Sequence, residues 1–157
     1  PELIAQGLVS YQASGMRQNI YEQDGYQIYA DCYNASPDAM EATLSVLGGM
    51  AGDGRRFAVL GSMLELGDYA EEGNRRAGRA AAQYADALYA YGSDAAAMVA
   101  GAREKGMEHA YAFDDQTALV AALREDAKKG DALLFKGSRG MRMERALAMF
   151  LGEEVEA

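Results

Sequence analysis

Short apolar segments alternate with longer helical segments along most of this chain. Runs of four or five mostly apolar residues lie at 57–60, 87–91, 109–113 and 131–135, and another lies at 26–30. Continuous apolar strands separated by helices are typical of a parallel sheet that is covered on both faces. The pattern therefore predicts five parallel strands, with helices over 37–51, 70–84, 95–105, 115–128 and 143–150.

One further strand is predicted to run antiparallel to the others. Segments 17–22 and 26–30 both have an extended pattern, and Asp24-Gly25 between them is a strong signal for a two-residue hairpin. The predicted fold class is therefore α/β, a three-layer sandwich whose mostly parallel sheet has about six strands, one of them an antiparallel edge strand.

Composition and charge exclude several classes of protein. A length of 157 residues fits one domain, and the net charge of −9 argues against a protein that binds nucleic acid. Cys32 is the only cysteine, which favours a reducing compartment over a disulfide framework. No apolar run approaches the roughly 18 residues that a membrane helix needs. We therefore expect a soluble cytoplasmic protein that contacts neither nucleic acid nor membrane.

Polar residues follow three of the predicted parallel strands. Asp31 ends the first strand, Gly61-Ser62 the second, and the turn Lys136-Gly137-Ser138-Arg139 the last. Ligands of open α/β sheets bind at the carboxyl ends of the strands. An aspartate there suits sugar hydroxyls, and cations with free backbone N–H groups suit phosphate or carboxylate oxygens, so a nucleotide is indicated. For Asp31 alone, a local turn or capping role is an equally good interpretation.

The sequence lacks the motifs that would hold a triphosphate. It contains neither a Walker A phosphate loop nor a glycine-rich dinucleotide fingerprint, so another domain would have to bind the phosphates. The chain also starts at Pro1 and not at a methionine, which predicts a fragment of a longer protein. The only histidine, His109, has no second ligand at metal spacing, and no metal site is predicted.

Three longer motifs carry a resemblance to a known family. They are Asp31-Cys32-Tyr33-Asn34-Ala35-Ser36-Pro37-Asp38-Ala39-Met40, Val59-Leu60-Gly61-Ser62-Met63-Leu64-Glu65-Leu66-Gly67 and Lys136-Gly137-Ser138-Arg139-Gly140-Met141-Arg142-Met143-Glu144. In this order and spacing they resemble the carboxy-terminal domain of the Mur ligases, over nearly the whole chain. The resemblance is to the branch of the family that joins D-alanyl-D-alanine to UDP-N-acetylmuramoyl-tripeptide in peptidoglycan synthesis.

The resemblance implies a domain organisation and a reaction. Residues 15–152 would form a Rossmann-like carboxy-terminal domain, 1–14 a connector from a missing central ATPase domain, and 153–157 an acidic tail. The whole enzyme would form an amide through an acyl phosphate, with ATP and Mg²⁺ held mainly by the central domain. Its partners would be the two substrates and its own amino-terminal and central domains. We expect the chain to be monomeric and inactive alone.

The resemblance also assigns roles to individual residues. Arg17 matches the arginine that reaches the ATP phosphates, Asp31 matches the acid that binds the ribose, and Tyr33 and Asn34 match the adjoining nucleotide contacts. Lys136 and Arg139 are implied to be catalytic, in a turn that faces the reacting centre. Dipeptide binding is implied for Ser36, Ser138 and Arg139.

Three positions depart from the family pattern. Ser36 replaces an asparagine, Ser62 an aspartate and Asn74 a histidine. Ser36 keeps an oxygen that caps a helix, whereas Ser62 removes a charge.

Other interpretations stay open on the sequence alone. A sister ligase could add one amino acid to the muramyl peptide or glutamate to folate, although the Tyr33-Asn34 and Lys136-Gly137-Ser138-Arg139 motifs weigh against it. A receiver-like phosphorelay module needs an aspartate at the end of the third strand, where this chain has Tyr91-Gly92-Ser93. A purely structural or interaction domain is the third alternative.

Overall fold

The chain folds around one six-stranded sheet. A computed structural model describes residues 19–32, 35–50 and 52–154; the predicted connector, Arg17, Tyr33 and Asn34 lie outside these ranges. In chain order the strands are β1 Asn19–Gln23, β2 Tyr26–Asp31, β3 Arg56–Gly61, β4 Ala87–Tyr91, β5 Ala110–Phe113 and β6 Ala132–Lys136. Their order in the sheet is β1-β2-β6-β3-β4-β5. None of the helices in the described ranges is both long and apolar enough to cross a bilayer.

Five helices cover the two faces of the sheet. They are α1 Pro37–Gly48, α2 Ala70–Tyr84, α3 Ala95–Glu104, α4 Gln116–Asp126 and α5 Met143–Phe150. Buried residues of α1, α2 and α3 share one apolar cluster with one face of the sheet. Buried residues of α4 and α5 share a second cluster with the other face. The predicted three-layer α/β sandwich is confirmed.

The predicted hairpin joins β1 and β2. Strands β1 and β2 pair antiparallel, with Gln23 opposite Tyr26. Asp24 and Gly25 between them have φ angles of 56° and 88°. A two-residue turn with positive φ at both positions matches the right-handed twist of the strands that it joins. The remaining neighbouring strand pairs are parallel, so the antiparallel edge strand is confirmed.

The path of the chain inserts β6 between β2 and β3. From β2 the chain crosses by α1, α2 and α3 on one face to β3, β4 and β5, and then returns by α4 on the opposite face to β6. Both directions are consistent with right-handed crossovers, because reversing the direction of travel moves the helix to the other face. The loops after β2 and β6 therefore lead to opposite faces. They open a crevice at the carboxyl edge of the sheet.

Helix α1 begins where the sequence predicts and ends earlier. Ser36 caps it, since Oγ accepts a hydrogen bond of 3.2 Å from the Ala39 N–H, and Pro37 occupies the first turn. The helix ends at Gly48 and not at 51. The Arg56 guanidinium donates to the Gly48 carbonyl at 2.7 Å, which satisfies an acceptor at the helix end.

Helices α2 and α3 pack closely against each other at Gly78 and Gly101. A methyl group on Gly78 would overlap the Met98 carbonyl oxygen. Since backbone yields less readily than a side chain, we expect Gly78→Ala to lower the free energy of unfolding by about 1–3 kcal/mol, measured by urea denaturation. Gly49→Ala is the control, because its methyl group would meet only the Val46 carbonyl oxygen, at 3.7 Å. Equal losses for both variants would contradict the account of this helix contact.

Candidate functional site

Three polar turns meet at the carboxyl edge of neighbouring strands. Asp31 ends β2, Lys136 ends β6 and Gly61 ends β3, and these strands are adjacent in the sheet. A Cβ at Gly61 would lie 2.9 Å from Met141 Cβ and 3.0 Å from Met143 Sδ, so the missing side chain allows the loops to pack closely. The sequence-based expectation that these turns share one mouth is confirmed.

Asp31 and Lys136 form a buried ion pair at the base of the crevice. They are register partners on β2 and β6, and Lys136 Nζ lies 2.6 Å from Asp31 Oδ2. The two side chains are 9% and 3% exposed respectively. Thr43 of α1 also donates from Oγ1 to Asp31 Oδ2, at 3.3 Å. The resemblance assigned this acid and this lysine to separate ligands, whereas the structure brings them into contact with each other.

Ser138 joins the loop after β6 to the loop after β3. Its Oγ accepts a hydrogen bond of 2.8 Å from the Leu64 N–H, and the residue is buried. Arg139 follows it and begins a short 3-10 turn, Arg139–Met141, with its side chain exposed. Ser138 therefore links the two loops, and the Arg139 side chain lies at the surface.

Ser62 and Asn74 both tie the loop after β3 to neighbouring parts of the fold. Ser62 is fully buried; its Oγ donates to the Tyr91 carbonyl at 3.1 Å and accepts from the Asp94 N–H at 2.9 Å. Asn74 of α2 is fully buried too; its Oδ1 accepts from the Met63 N–H at 2.9 Å and its Nδ2 donates to the Ala70 carbonyl at 2.9 Å. Both side chains fix the loop after β3.

Gln116 supports the loop after β6 and was missed by sequence reasoning. Its Nε2 donates to the carbonyl oxygens of Met141 and Arg142, at 2.9 and 3.1 Å. Arg142 has a φ of 54°, a conformation that costs a non-glycine residue free energy. Gln116 thus stabilises a strained turn. A single polar residue at a helix start gives no sequence signal for such a contact.

A cavity of about 330 Å³ lies between the loop after β3 and the loop after β6. Its lining residues combine small or apolar side chains with one acid and one base: Ala35, Leu64, Glu65, Leu66, Ser138, Arg139 and Gly140. Such a cavity suits a small ligand that carries both an apolar part and charges. Within the described residues, no group of three or more His, Cys, Asp or Glu side chains is placed to hold a metal ion.

Cys32 offers a chemical probe of the turn after β2. The thiol is buried and its Sγ donates to the Phe135 carbonyl at 3.4 Å. Burial, and then the charges of Glu144 and Asp31, raise the pKa of Cys32 to about 12. At pH 8 the native chain holds almost no thiolate, the reactive form, so we expect Ellman's reagent to react fully only in denaturant. Rapid reaction of the native chain would contradict the buried placement of the Cys32 thiol.

Known proteins resemble the chain in both sequence and structure. Residues 16–139 match the family described as Mur ligase, glutamate ligase domain. The UDP-N-acetylmuramoyl-tripeptide--D-alanyl-D-alanine ligase of Bacillus subtilis is 36% identical over 147 residues, which cover 92% of this chain and 32% of the relative. The ligase of the same name from Treponema pallidum is 37% identical over 119 residues, 73% of this chain and 25% of the relative.

Two solved structures are similar to the chain in fold. The MurF ligase of Thermotoga maritima, in complex with ADP, superposes with a TM-score of 0.73 at 34% identity, over 88% of this chain and 31% of that one. MurF from Acinetobacter baumannii gives a TM-score of 0.78 at 29% identity, over 87% of this chain and 30% of that one. The chain spans about a third of the length of these proteins.

Proposed function

Because the chain belongs to the Mur ligase family, we propose that it is the carboxy-terminal domain of an ATP-dependent amide ligase. The substrates of the whole enzyme would be UDP-N-acetylmuramoyl-tripeptide and D-alanyl-D-alanine, as in the name of the Bacillus subtilis relative. The observation that carries the proposal is this 36% identity over 92% of the chain. We further propose that the enzyme works as a monomer in the bacterial cytoplasm.

On the nucleotide side, Asp31 would bind the ribose. Asp31 Oδ2 is occupied by Lys136 and Thr43, whereas Oδ1 accepts no hydrogen bond from the described residues. Oδ1 is therefore the atom that would accept a ribose hydroxyl, and the ion pair would hold it in place. Arg17 would reach the phosphates, and Tyr33 and Asn34 would contact the nucleotide. The ADP bound to the Thermotoga maritima relative supports a nucleotide in this family.

On the substrate side, Arg139 would stabilise the negative charge that develops during the reaction. ATP would supply the phosphoryl group that activates the tripeptide carboxylate, with Mg²⁺ held mainly by the central domain. Once the dipeptide ammonium group has lost a proton, attack by the amine would place charge on the former carboxyl oxygen, which a cation such as Arg139 would stabilise. Lys136, at the base of the crevice, would act through its ion pair with Asp31. Ser138 and Ser36 would border the dipeptide. Closure of the domain over the nucleotide would keep water from the activated carboxyl group.

Titration of the chain with ADP, followed by NMR, tests the placement of the nucleotide. We expect shifts at residues 31–38 and 136–139, weak binding, and no turnover by the chain alone. Asp31→Asn should weaken binding, whereas the control Asp86→Asn should not, because Asp86 precedes β4 at the amino edge of the sheet. Shifts centred on Asp86 would refute the site, and ligase turnover by the chain alone would refute the shared active site.

A further inference from the structure

We propose that Glu65 determines specificity by binding the ammonium group of the incoming dipeptide. The inference rests on the proposed ligase function and adds a residue to it. The family comparison gave Glu65 no role, and the resemblance placed the dipeptide only at Ser36, Ser138 and Arg139. Glu65 lies on the other wall of the same cavity, in the loop after β3.

The charges that line the cavity match those of a dipeptide zwitterion. Glu65 supplies one negative charge from the loop after β3, and Arg139 supplies one positive charge from the loop after β6. A dipeptide has one ammonium group and one carboxylate, separated by its length. The rest of the lining includes the apolar side chains of Leu64, Leu66 and Ala35, against which methyl groups can pack. The cavity thus offers the Glu65 carboxylate to the ammonium end of the ligand.

Glu65 differs from the acids of the neighbouring helix. Glu71 and Glu72 of α2 pair with Arg75 and Arg79, and Glu104 of α3 pairs with both arginines. No Lys, Arg or His nitrogen of the described residues lies within ion-pair distance of Glu65, and its side chain is exposed. A carboxylate at a cavity wall without such a partner remains available for a cationic ligand.

The backbone holds Glu65 in a conformation that costs free energy. Its φ of 64° is in the left-handed region, which an unbranched glutamate rarely adopts. The neighbours on one side are tied down, since Asn74 binds both Met63 backbone groups and Ser138 accepts from the Leu64 N–H. On the other side the Leu66 carbonyl accepts from the Tyr69 N–H at 3.0 Å. These contacts hold the backbone on both sides of Glu65.

The test is a double comparison in a full-length ligase that carries this domain. Glu65→Gln keeps the size of the side chain and removes its charge. The second change is made in the ligand, where N-propionyl-D-alanine replaces the ammonium group of D-alanyl-D-alanine by hydrogen. We expect Glu65→Gln to raise KM for the dipeptide about tenfold, with kcat and the KM for ATP little changed. Glu65→Asp should recover part of the loss.

Inhibition by the ammonium-free ligand separates charge recognition from a general disturbance of the loop. In the wild-type enzyme, N-propionyl-D-alanine should inhibit at concentrations well above the dipeptide KM. In Glu65→Gln the two values should converge, since only the dipeptide loses a partner. Asp68→Asn is the control, because this acid lies three residues further on and outside the cavity lining.

Failure of this inference can be told from failure of the proposed function. If the wild-type enzyme ligates D-alanyl-D-alanine and Glu65→Gln keeps its KM, Glu65 has no part in ammonium recognition. Equal weakening of both ligands would also overturn the inference, because it indicates a change in loop structure and not a lost charge. If the wild-type enzyme forms no product with the dipeptide, the proposed function itself fails, and the inference fails with it.

Discussion

Replacing Lys136 with methionine is expected to lower the free energy of unfolding by about 3–5 kcal/mol. The change leaves the Asp31 carboxylate buried without the ammonium group that lies 2.6 Å from it. An uncompensated charge in a buried position is costly because neither water nor a counter-ion stabilises it. Urea denaturation of the chain measures the loss. The control is Arg75→Met, which breaks pairs with Glu71 and Glu104 at the surface and should cost far less, because water solvates the charges that remain.

A double variant identifies the origin of that loss. Asp31→Asn combined with Lys136→Met removes both charges and should recover most of the stability, since apolar or neutral replacements of a buried pair are often neutral. In the full-length ligase the double variant should nevertheless remain impaired, because Asp31 is proposed to bind the ribose. A double variant as unstable as the single one would show that the ion pair is not the reason for the loss.

Replacing Arg17 with alanine is expected to lower kcat of the full-length ligase about 10²–10³-fold, the usual cost of removing one group that stabilises transition-state charge. The expectation comes from the family resemblance, since Arg17 lies outside the described residues. Unlike Lys136→Met, this variant should keep its stability in urea.

Arg124→Ala is the control for the arginine variant. Arg124 lies in the last turn of α4, and its guanidinium donates to the Met149 carbonyl at 3.1 Å. Because α4 runs antiparallel to the strands, its last turn is at the edge of the sheet away from the crevice. Wild-type kcat in Arg17→Ala, or equal losses in the two variants, would remove Arg17 from the proposed phosphate contact.

Local patterns predicted the elements of the fold well. The helix at 70–84 and the strand at 87–91 have the predicted bounds, since alanine-rich and short apolar segments are strong local signals. The hairpin at Asp24-Gly25 was predictable because few residues tolerate two successive positive φ angles. The insertion of β6 between β2 and β3 was not predicted, because strand order depends on contacts between segments about 100 residues apart.

The unpredicted part of the candidate site follows from that insertion. Asp31 and Lys136 are 105 positions apart, and only the register of β2 with β6 makes them partners. The sequence identified both residues and their shared edge but not their contact. The tether formed by Asn74 was predictable in principle, because an amide on the buried side of an alanine-rich helix needs hydrogen-bond partners. Gln116 left no such signal.

Amide formation by the full-length ligase is the most direct test of the central claim. The enzyme is incubated with ATP, Mg²⁺ and UDP-N-acetylmuramoyl-tripeptide, and with D-alanyl-D-alanine, single amino acids or glutamate as competing acceptors. Mass spectrometry then identifies which acceptor has been joined to the tripeptide. We predict an ATP-dependent product with D-alanyl-D-alanine alone. A product with a single amino acid, or no product with the dipeptide, would contradict the proposal.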